Sequence, residues 1–341
     1  MRPALHPRLI NKPFDDPGLF VSFLYEKRAF LFDLGDINSL SAKDILKITH
    51  VFVTHAHMDH FIGFDRLLRL CLGRPKTLYI YGPKGFLRNV EGKLAAYSWN
   101  LVEQYKTGFS LNVTEVQAEQ ILSREYRSKD RFVPQKEAKK SIFNGVLLKE
   151  PELSVRAAIL DHKIPCIGFA LKEQFHVNIM KEQVLRLGLE PGPWLRKFKQ
   201  ALYDCNNPDI EIEVKAGEDG NETRKFLLKD LKKKIARISP GQKIAYITDV
   251  GFRQSNLIKI TKLAENADHL FIEAVFLDDL ESSAREKFHL TARQAGMIAG
   301  LVNAKKMTIF HFSPRYLGRA NLLYDEAEKA YKEFRQQQLR G

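Results

Sequence analysis

The densest chemistry in this chain is the run His55-Ala56-His57-Met58-Asp59-His60. Four groups able to bind a metal stand within six residues, directly after the apolar run 50–54. Imidazole nitrogen combined with carboxylate oxygen suits Zn²⁺, and also Mn²⁺ or Fe²⁺. His55 and His57 alternate, so an extended turn points both the same way. Asp59 and His60 then begin a helix, from which they can aim at a second ion. Three further candidates close apolar runs in the same manner. Leu160 leads through Asp161 to His162, the run 244–248 leads to Asp249, and the run 307–310 leads to His311. Open α/β sheets form their sites beyond the carboxyl ends of strands, so these side chains are expected to converge.

The elements that must hold these residues alternate between strand and helix. Short strands are expected at 20–25 and 29–33 around the turn Glu26-Lys27-Arg28. Another strand is expected at 50–54, and Leu67, Leu68, Leu70 and Cys71 space a helix over 65–72. The strand at 77–81 is expected to stop at Gly82-Pro83, and 86–105 reads as helical. Residues 122–149 carry eight Lys/Arg against three Asp/Glu with little periodicity, which reads as a basic, partly loop-like stretch. Strands at 155–160 and 166–171 flank a break at Pro165. Residues 172–243 interrupt the rhythm with Pro191-Gly192-Pro193, the polar stretch 217–220 and the run Lys232-Lys233-Lys234, a solvated helix face. Strands resume at 244–248, 269–273 and 307–310.

Composition bounds the answer. The 341 residues allow about two domains, or one large α/β unit with an insertion. At 44% hydrophobic and 28% charged, the chain is in the globular range and not the disordered one. No apolar run is long enough to span a membrane, and no apolar segment follows the first residues as in a signal peptide. Cys71, Cys166 and Cys205 make neither a disulfide framework nor a metal-binding pair, which suits a reduced, cytoplasmic protein. A net charge of +13 favours polyanionic partners. His6, His50, His176 and His269 have no convergent partners in sequence, and Trp99 and Trp194 read as packing residues.

The pattern T-H-x-H-x-D-H after a strand, with later His, Asp and His, resembles the metallo-β-lactamase fold. That resemblance implies an α/β, αβ/βα four-layer sandwich as a single domain over 1–341. It implies two Zn²⁺ per chain. One would sit on His55, His57 and His162, the other on Asp59, His60 and His311, with Asp249 bridging. Flavodiiron-type members carry an acidic residue where this chain has Met58, which favours a hydrolytic zinc site over redox iron.

Within that superfamily the chain is most similar to ribonuclease Z, the endonuclease that trims tRNA precursors at the 3′ end. The similarity is carried by residues 52–60, by Tyr81-Gly82-Pro83-Lys84-Gly85, by the stretch around His162 and Gly168, and by His311-Phe312-Ser313-Pro314-Arg315-Tyr316. Leu187-Gly188-Leu189-Glu190-Pro191-Gly192-Pro193 resembles the Gly-Pro motif of the family's protruding tRNA-binding arm, so 172–243 is expected to be an inserted arm. Pro191, Gly192, Pro193, Arg196, Lys197 and Lys199 are its candidate RNA contacts, on an arm with fifteen Lys/Arg against eleven Asp/Glu. His289-Leu290-Thr291 resembles the family's His-Ser-Thr motif, whose His is the acid candidate.

The resemblance implies a zinc-dependent endoribonuclease in which metal-held hydroxide attacks the phosphodiester and leaves a 3′-hydroxyl on the tRNA. Asp59 would hold metal and orient the nucleophile, His289 would protonate the leaving oxygen, and Glu273 would align His289. The implied partners are a tRNA precursor, a second copy of the chain in a homodimer, and no membrane. The substrate side departs from the family. Asp36-Ile37-Asn38-Ser39 stands where the family reads Glu-Gly/Ala-Thr-Gln, Asp249 is framed by Thr248 and Val250, and residues 122–149 are longer than the usual connection. These departures support an alternative, a hydrolase of the same fold acting on a small cyclic nucleotide, lactone, thioester or aryl sulfate.

Overall fold

A strand buried on both faces needs an unbroken apolar run, and residues 29–32 and 51–53 supply one. In the computed structural model of the protein, Phe30, Leu31, Val51 and Phe52 are fully buried. The structure describes residues 5–24, 26–105, 108–204, 207–216 and 222–340. The first sheet follows chain order: β1 (Leu5–Leu9), β2 (Leu19–Phe23), β3 (Ala29–Phe32), β4 (Ile48–Phe52), β5 (Lys76–Pro83), β6 (Phe109–Val116), β7 (Gln120–Arg127) and β8 (Lys139–Ile142). Strands β3 to β6 are parallel, and both flanks are antiparallel. Helices α1 (Ala42–Lys47), α2 (Met58–Phe61), α3 (Phe64–Cys71) and α4 (Phe86–Ala95) make the crossovers that parallel pairing requires. Ser41 caps α1 by accepting the Asp44 N–H.

Strands β9 (Val146–Lys149), β10 (Leu153–His162) and β11 (Ile164–Glu173) begin the second sheet. Then come β12 (Phe175–Ile179), α5 (Lys181–Arg186), α6 (Trp194–Asp204), β13 (Glu211–Ala216), β14 (Glu222–Leu227), α7 (Leu228–Ile235) and β15 (Ala236–Pro240). The second sheet is completed by β16 (Lys243–Ile247), β17 (His269–Glu273) and β18 (Met307–Phe310), in the order β18-β17-β16-β11-β10-β9. Helices α8 (Gln254–Ala264), α9 (Glu281–Lys287), α10 (Ala292–Leu301) and α11 (Ala320–Arg340) accompany these strands.

The chain divides into two compact units. The smaller holds 172–242 together with 148–154. Its own core includes Val177, Val184, Trp194, Phe198, Val214 and Leu231, and β12 pairs with β15 and β13 with β14. The larger unit is layered helix, sheet, sheet, helix. Ile45, Leu67 and Val90 from helices pack on Leu31, Val51 and Ile80 of the first sheet. Ile260, Ile298 and Leu323 pack on Ile247, Leu270 and Ile309 of the second. Between the sheets, Phe169 lies 5.8 Å from Phe32 and 5.6 Å from Phe52. Gly296 of α10 faces the Ala327 carbonyl of α11 so closely that a Cβ would overlap it, and this lets the two helices meet.

Several elements differ from the sequence expectation. Strand β5 runs through Gly82 and Pro83, pairing them with Glu115 and Val116. A proline at the last position of a strand ends the ladder without breaking it. The stretch 122–149 is half strand and half loop or 3₁₀ turn, its strands lying at or beside sheet edges that water can reach. The break between β10 and β11 is at Lys163, left-handed at φ 61°, while Pro165 lies inside β11. Helix α4 ends at Ala95, well short of 105. Residues Lys232, Lys233 and Lys234 are exposed on α7, and Trp194 is buried with its indole N–H on the Glu190 carbonyl. Cys71 and Cys166 are free and buried; Cys205 and the stretch 217–220 lie outside the described residues.

His50 carries a titratable ring into the first sheet, stacked on Tyr79 at 4.8 Å and tilted against Phe30 at 4.7 Å. Burial, with the Arg28 charge adding to it, lowers its pKa to about 4. The unfolded chain therefore binds that proton more tightly. The ring's contribution is complete above pH 6.5 and is lost as pH falls toward 4, up to about 3 kcal/mol. Urea titrations at pH 7 and pH 5 are expected to show a smaller pH loss in His50→Leu than in the natural chain.

Candidate metal centre

The six strand ends that face one another at the carboxyl edge supply the site. Beyond β4, the Val53 N–H bonds the Tyr81 carbonyl at 2.8 Å and the Thr54 N–H bonds Asp33 Oδ1 at 2.7 Å. The chain is thus held extended into His55 and His57, and His57 (ψ 158°) is the N-cap of α2. The single turn of α2 presents Asp59 and His60. Gly63 fixes where that turn sits, because a Cβ there would overlap the Gly35 carbonyl. His162 is the last residue of β10 and Glu273 the last of β17. Asp249 and His311 follow β16 and β18 in left-handed backbone, at φ 50° and 62°. Such residues cost about 1–2 kcal/mol each, so strain is held where the side chains converge.

Asp249 joins two clusters. Its Oδ2 lies 3.6 Å from His55 Nε2 and 3.5 Å from His162 Nε2. Its Oδ1 lies 3.5 Å from His60 Nε2 and 3.1 Å from His311 Nδ1. One group of ligand-capable atoms comprises His55, His57, His162 and Asp249. Another comprises Asp59, His60 and His311, with Asp59 Oδ2 3.3 Å from His311 Nε2 and 3.4 Å from His60 Nε2. A third, which the sequence reading did not group, comprises Asp249, Glu273, His289 and His311.

The electrostatics ask for cations. Burial opposes ionisation of Asp249, which is 2% exposed, yet His311 and His60 hold its carboxyl well below the usual range. Burial likewise opposes Asp59, and hydrogen bonds from His311 and His60 outweigh it. Burial pushes His55 down, with His60 adding to it. His55 Nε2, His60 Nε2 and His311 Nδ1 are buried without a hydrogen-bond partner. Orphaned imidazole nitrogens beside buried carboxylates are costly as they stand. The same set fits divalent ions that take nitrogen and oxygen ligands.

Residues behind the ligands orient them, as the outer shell of metal sites does. His162 Nδ1 donates to the Phe288 carbonyl at 2.8 Å, which leaves Nε2 for the centre. Asp33, left-handed at φ 59° and fully buried, accepts from His60 Nδ1 at 2.8 Å, from the Thr54 hydroxyl at 3.0 Å and from the Tyr246 hydroxyl at 3.1 Å. Sequence reading assigned Asp33 and Tyr246 no role. An acid closing a buried strand was the available signal for Asp33; Tyr246 comes from the other sheet and had none. His289 Nδ1 lies 2.7 Å from Glu273 Oε2, and Glu273 Oε1 accepts the Val250 N–H at 2.7 Å. Burial disfavours the His289 imidazolium, but the Glu273 carboxylate outweighs it and raises the ring's pKa. Its ring centroid is 4.9 Å from that of His162 and 5.7 Å from that of His311.

Other candidates lie elsewhere. Met58 is 76% exposed and faces water. In the smaller unit, Pro191, Gly192 and Pro193 lead into α6, Arg196 and Lys197 are exposed, and Lys199 is half-buried with its pKa lowered by that burial. His176 is buried against Glu173 at 3.0 Å.

The metallo-beta-lactamase superfamily profile matches residues 16–71. The metallo-beta-lactamase fold protein YhfI from Bacillus subtilis matches with a TM-score of 0.52 at 15% identity, over 96% of this chain and 94% of that one. This chain is a metallo-β-lactamase-fold protein. Among curated relatives it is similar to ribonuclease Z from Deinococcus radiodurans, 26% identical over 92% of this chain and 91% of the relative. Ribonuclease Z from Bacillus cereus is 28% identical over 80% of this chain and 73% of the relative. The human tRNase Z short form matches with a TM-score of 0.50 at 20% identity, over 91% of this chain and 93% of that chain. The resemblance to ribonuclease Z thus runs over nearly the whole chain. No described helix is long and apolar enough to cross a membrane.

Asp33→Ala is expected to weaken metal binding at the His60 cluster about 10–100-fold, the usual effect of losing such a partner. Metal content after dialysis against graded chelator checks this; equal retention by both proteins would leave Asp33 with a packing role only.

Proposed function

We propose that this chain is a metal-dependent endoribonuclease of the ribonuclease Z type that cuts tRNA precursors at the 3′ side. The observation that carries the proposal is the His289–Glu273 pair beside two ligand clusters joined by one carboxylate. Phosphodiester cleavage needs an activated nucleophile on one side of phosphorus and a proton for the leaving oxygen on the other. In-line displacement between two ions meets the first need, and a positioned acid meets the second. The names of the relatives supply the substrate class. The donor set supports two Zn²⁺, with Mn²⁺ or Fe²⁺ as chemically acceptable substitutes.

When bound, the ions supply Lewis acidity toward phosphate oxygens and lower the pKa of water from 15.7 toward about 7. His55, His57, His162 and Asp249 would hold one; Asp59, His60, His311 and Asp249 the other. Asp59 is partly exposed and meets His60 and His311 through Oδ2, so its other oxygen can orient the nucleophile. Glu273 accepts the Nδ1 proton of His289, which presents Nε2 as donor to the leaving 3′ oxygen. Proton delivery there leaves a 3′-hydroxyl on the tRNA and a 5′-phosphate on the trailer. The short form of the family supports a homodimer, and the reduced thiols of Cys71 and Cys166 suit the cytoplasm. The exposed pair Arg196 and Lys197 supports an RNA-binding role for 172–243.

His289→Ala is expected to lower kcat on a tRNA precursor about 10²–10⁴-fold while metal content stays constant. A variant that loses metal as well would make His289 structural. The discriminating assay sets a 3′-extended tRNA precursor beside bis(p-nitrophenyl) phosphate, with Asp59→Ala as control. A single cut near the tRNA 3′ end, absent in the control and restored after chelation only by added metal, is the expected result. Turnover of the small diester with no cut in tRNA would favour the small-substrate hydrolase.

A further inference from the structure

A cavity of about 760 Å³ opens at the β8 edge of the first sheet, and nothing in the proposed chemistry uses it. Lys84, Glu119, Lys140, Ile142, Ile159 and Pro165 line it. Its Pro165 wall belongs to the β10–β11 hairpin that also carries His162. Pro165 stands two residues before Ile167, whose N–H donates to the Thr54 carbonyl at 2.9 Å, and His55 is the next residue. Lys84 follows the end of β5, whose Tyr81 carbonyl takes the Val53 N–H from the same loop. The far wall is β8, the outer strand of the sheet, tied back by the Phe143 N–H on the Glu119 carbonyl at 2.9 Å.

The lining has two characters. Lys84 and Lys140 are both exposed, with one carboxylate, Glu119, between them in charge. Gln117, Gln120 and Ser141 add uncharged polar groups, the rest is apolar, and Ile142 is 86% exposed on an edge strand. Edge strands with bare apolar residues invite a partner. Spaced cations with apolar walls match a single RNA strand, which offers phosphates to one and base faces to the other.

The direction of the strand follows from sheet order. In β18-β17-β16-β11-β10-β9, Glu273 ends β17 and His311 follows β18, both on one side of Asp249, which follows β16. Pro165 in β11 and Ile159 in β10 lie on the other side. The acid His289 serves the leaving 3′ oxygen and is anchored on Glu273 at the end of β17, so the body of the RNA is assigned to the β17 side. We infer that the groove receives the other product, the 3′ trailer that departs with the 5′-phosphate, its backbone on Lys84 and Lys140. This rests on the endoribonuclease reading above.

The test uses the metal-loaded full chain and the double variant K84A/K140A, whose exposed side chains take no part in the core. One arm compares cleavage of precursors bearing a one-nucleotide trailer and a long single-stranded trailer. The ratio of kcat/KM, long over short, is expected to fall about tenfold, with a shallower salt dependence. A ratio that does not move overturns the inference. The second arm measures binding of a 5′-phosphorylated single-stranded oligoribonucleotide by fluorescence anisotropy, with about tenfold weaker binding expected in the variant. If the natural chain cuts no precursor and the variant still loses oligonucleotide affinity, the tRNA reading fails and the groove stands. Equal oligonucleotide affinity in the two proteins removes the groove whatever the cleavage result.

Discussion

One buried carboxylate organises this protein. Asp249 turns one oxygen to His55 and His162 and the other to His60 and His311. Desolvation alone would drive such a group neutral, and the surrounding imidazoles reverse that. The cost of keeping the charge buried is met only if every ligand arrives from its own strand at the right depth. The ligands come from β4, α2, β10, β16 and β18, elements far apart in the chain. A close-packed double sheet is what can hold so many independent ends to a common point.

The packing shows how that precision is held. Asp33 ties the end of β3 to Thr54, to His60 and, across the sheets, to Tyr246. Aromatic rings between the sheets, from Phe32, Phe52, Phe169 and Tyr246, set the spacing that this network needs. Asp33, Asp249 and His311 all adopt left-handed backbone immediately past or near a strand end. The abrupt reversal aims each side chain inward, and its cost is small beside the burial that secures it. Glu273 is anchored differently, by the Val250 N–H, so the acid pair is referenced to the same loop that carries Asp249.

The charge of the chain is spread unevenly in function. The centre itself is rich in carboxylates, whereas α6, α7 and β8 each carry exposed cations. Such a division suits a polyanionic substrate: cations hold the backbone at a distance and the reacting phosphate enters a site built for metal. The smaller unit has its own core and strand pairs. Its exposed Arg196 and Lys197 are carried by a helix whose buried face, Trp194, Phe198 and Leu202, secures them.

Sequence alone determined what depends on local pattern and residue type. The run from His55 to His60 announces metal chemistry because its donors are adjacent, and the alternation of apolar runs with helical spacing announces an α/β sheet. Where a local signal is ambiguous the sequence is less legible: the edge strands within 122–149 face water and so carry no hydrophobic period, and the strand that stops at Gly82-Pro83 includes both residues. Which oxygen of Asp249 faces which histidine, the support of His60 by Asp33 and Tyr246, and the groove between Lys84 and Lys140 were decided by tertiary structure. Each joins residues from different strands, and only the register and order of two packed sheets bring them within hydrogen-bond range.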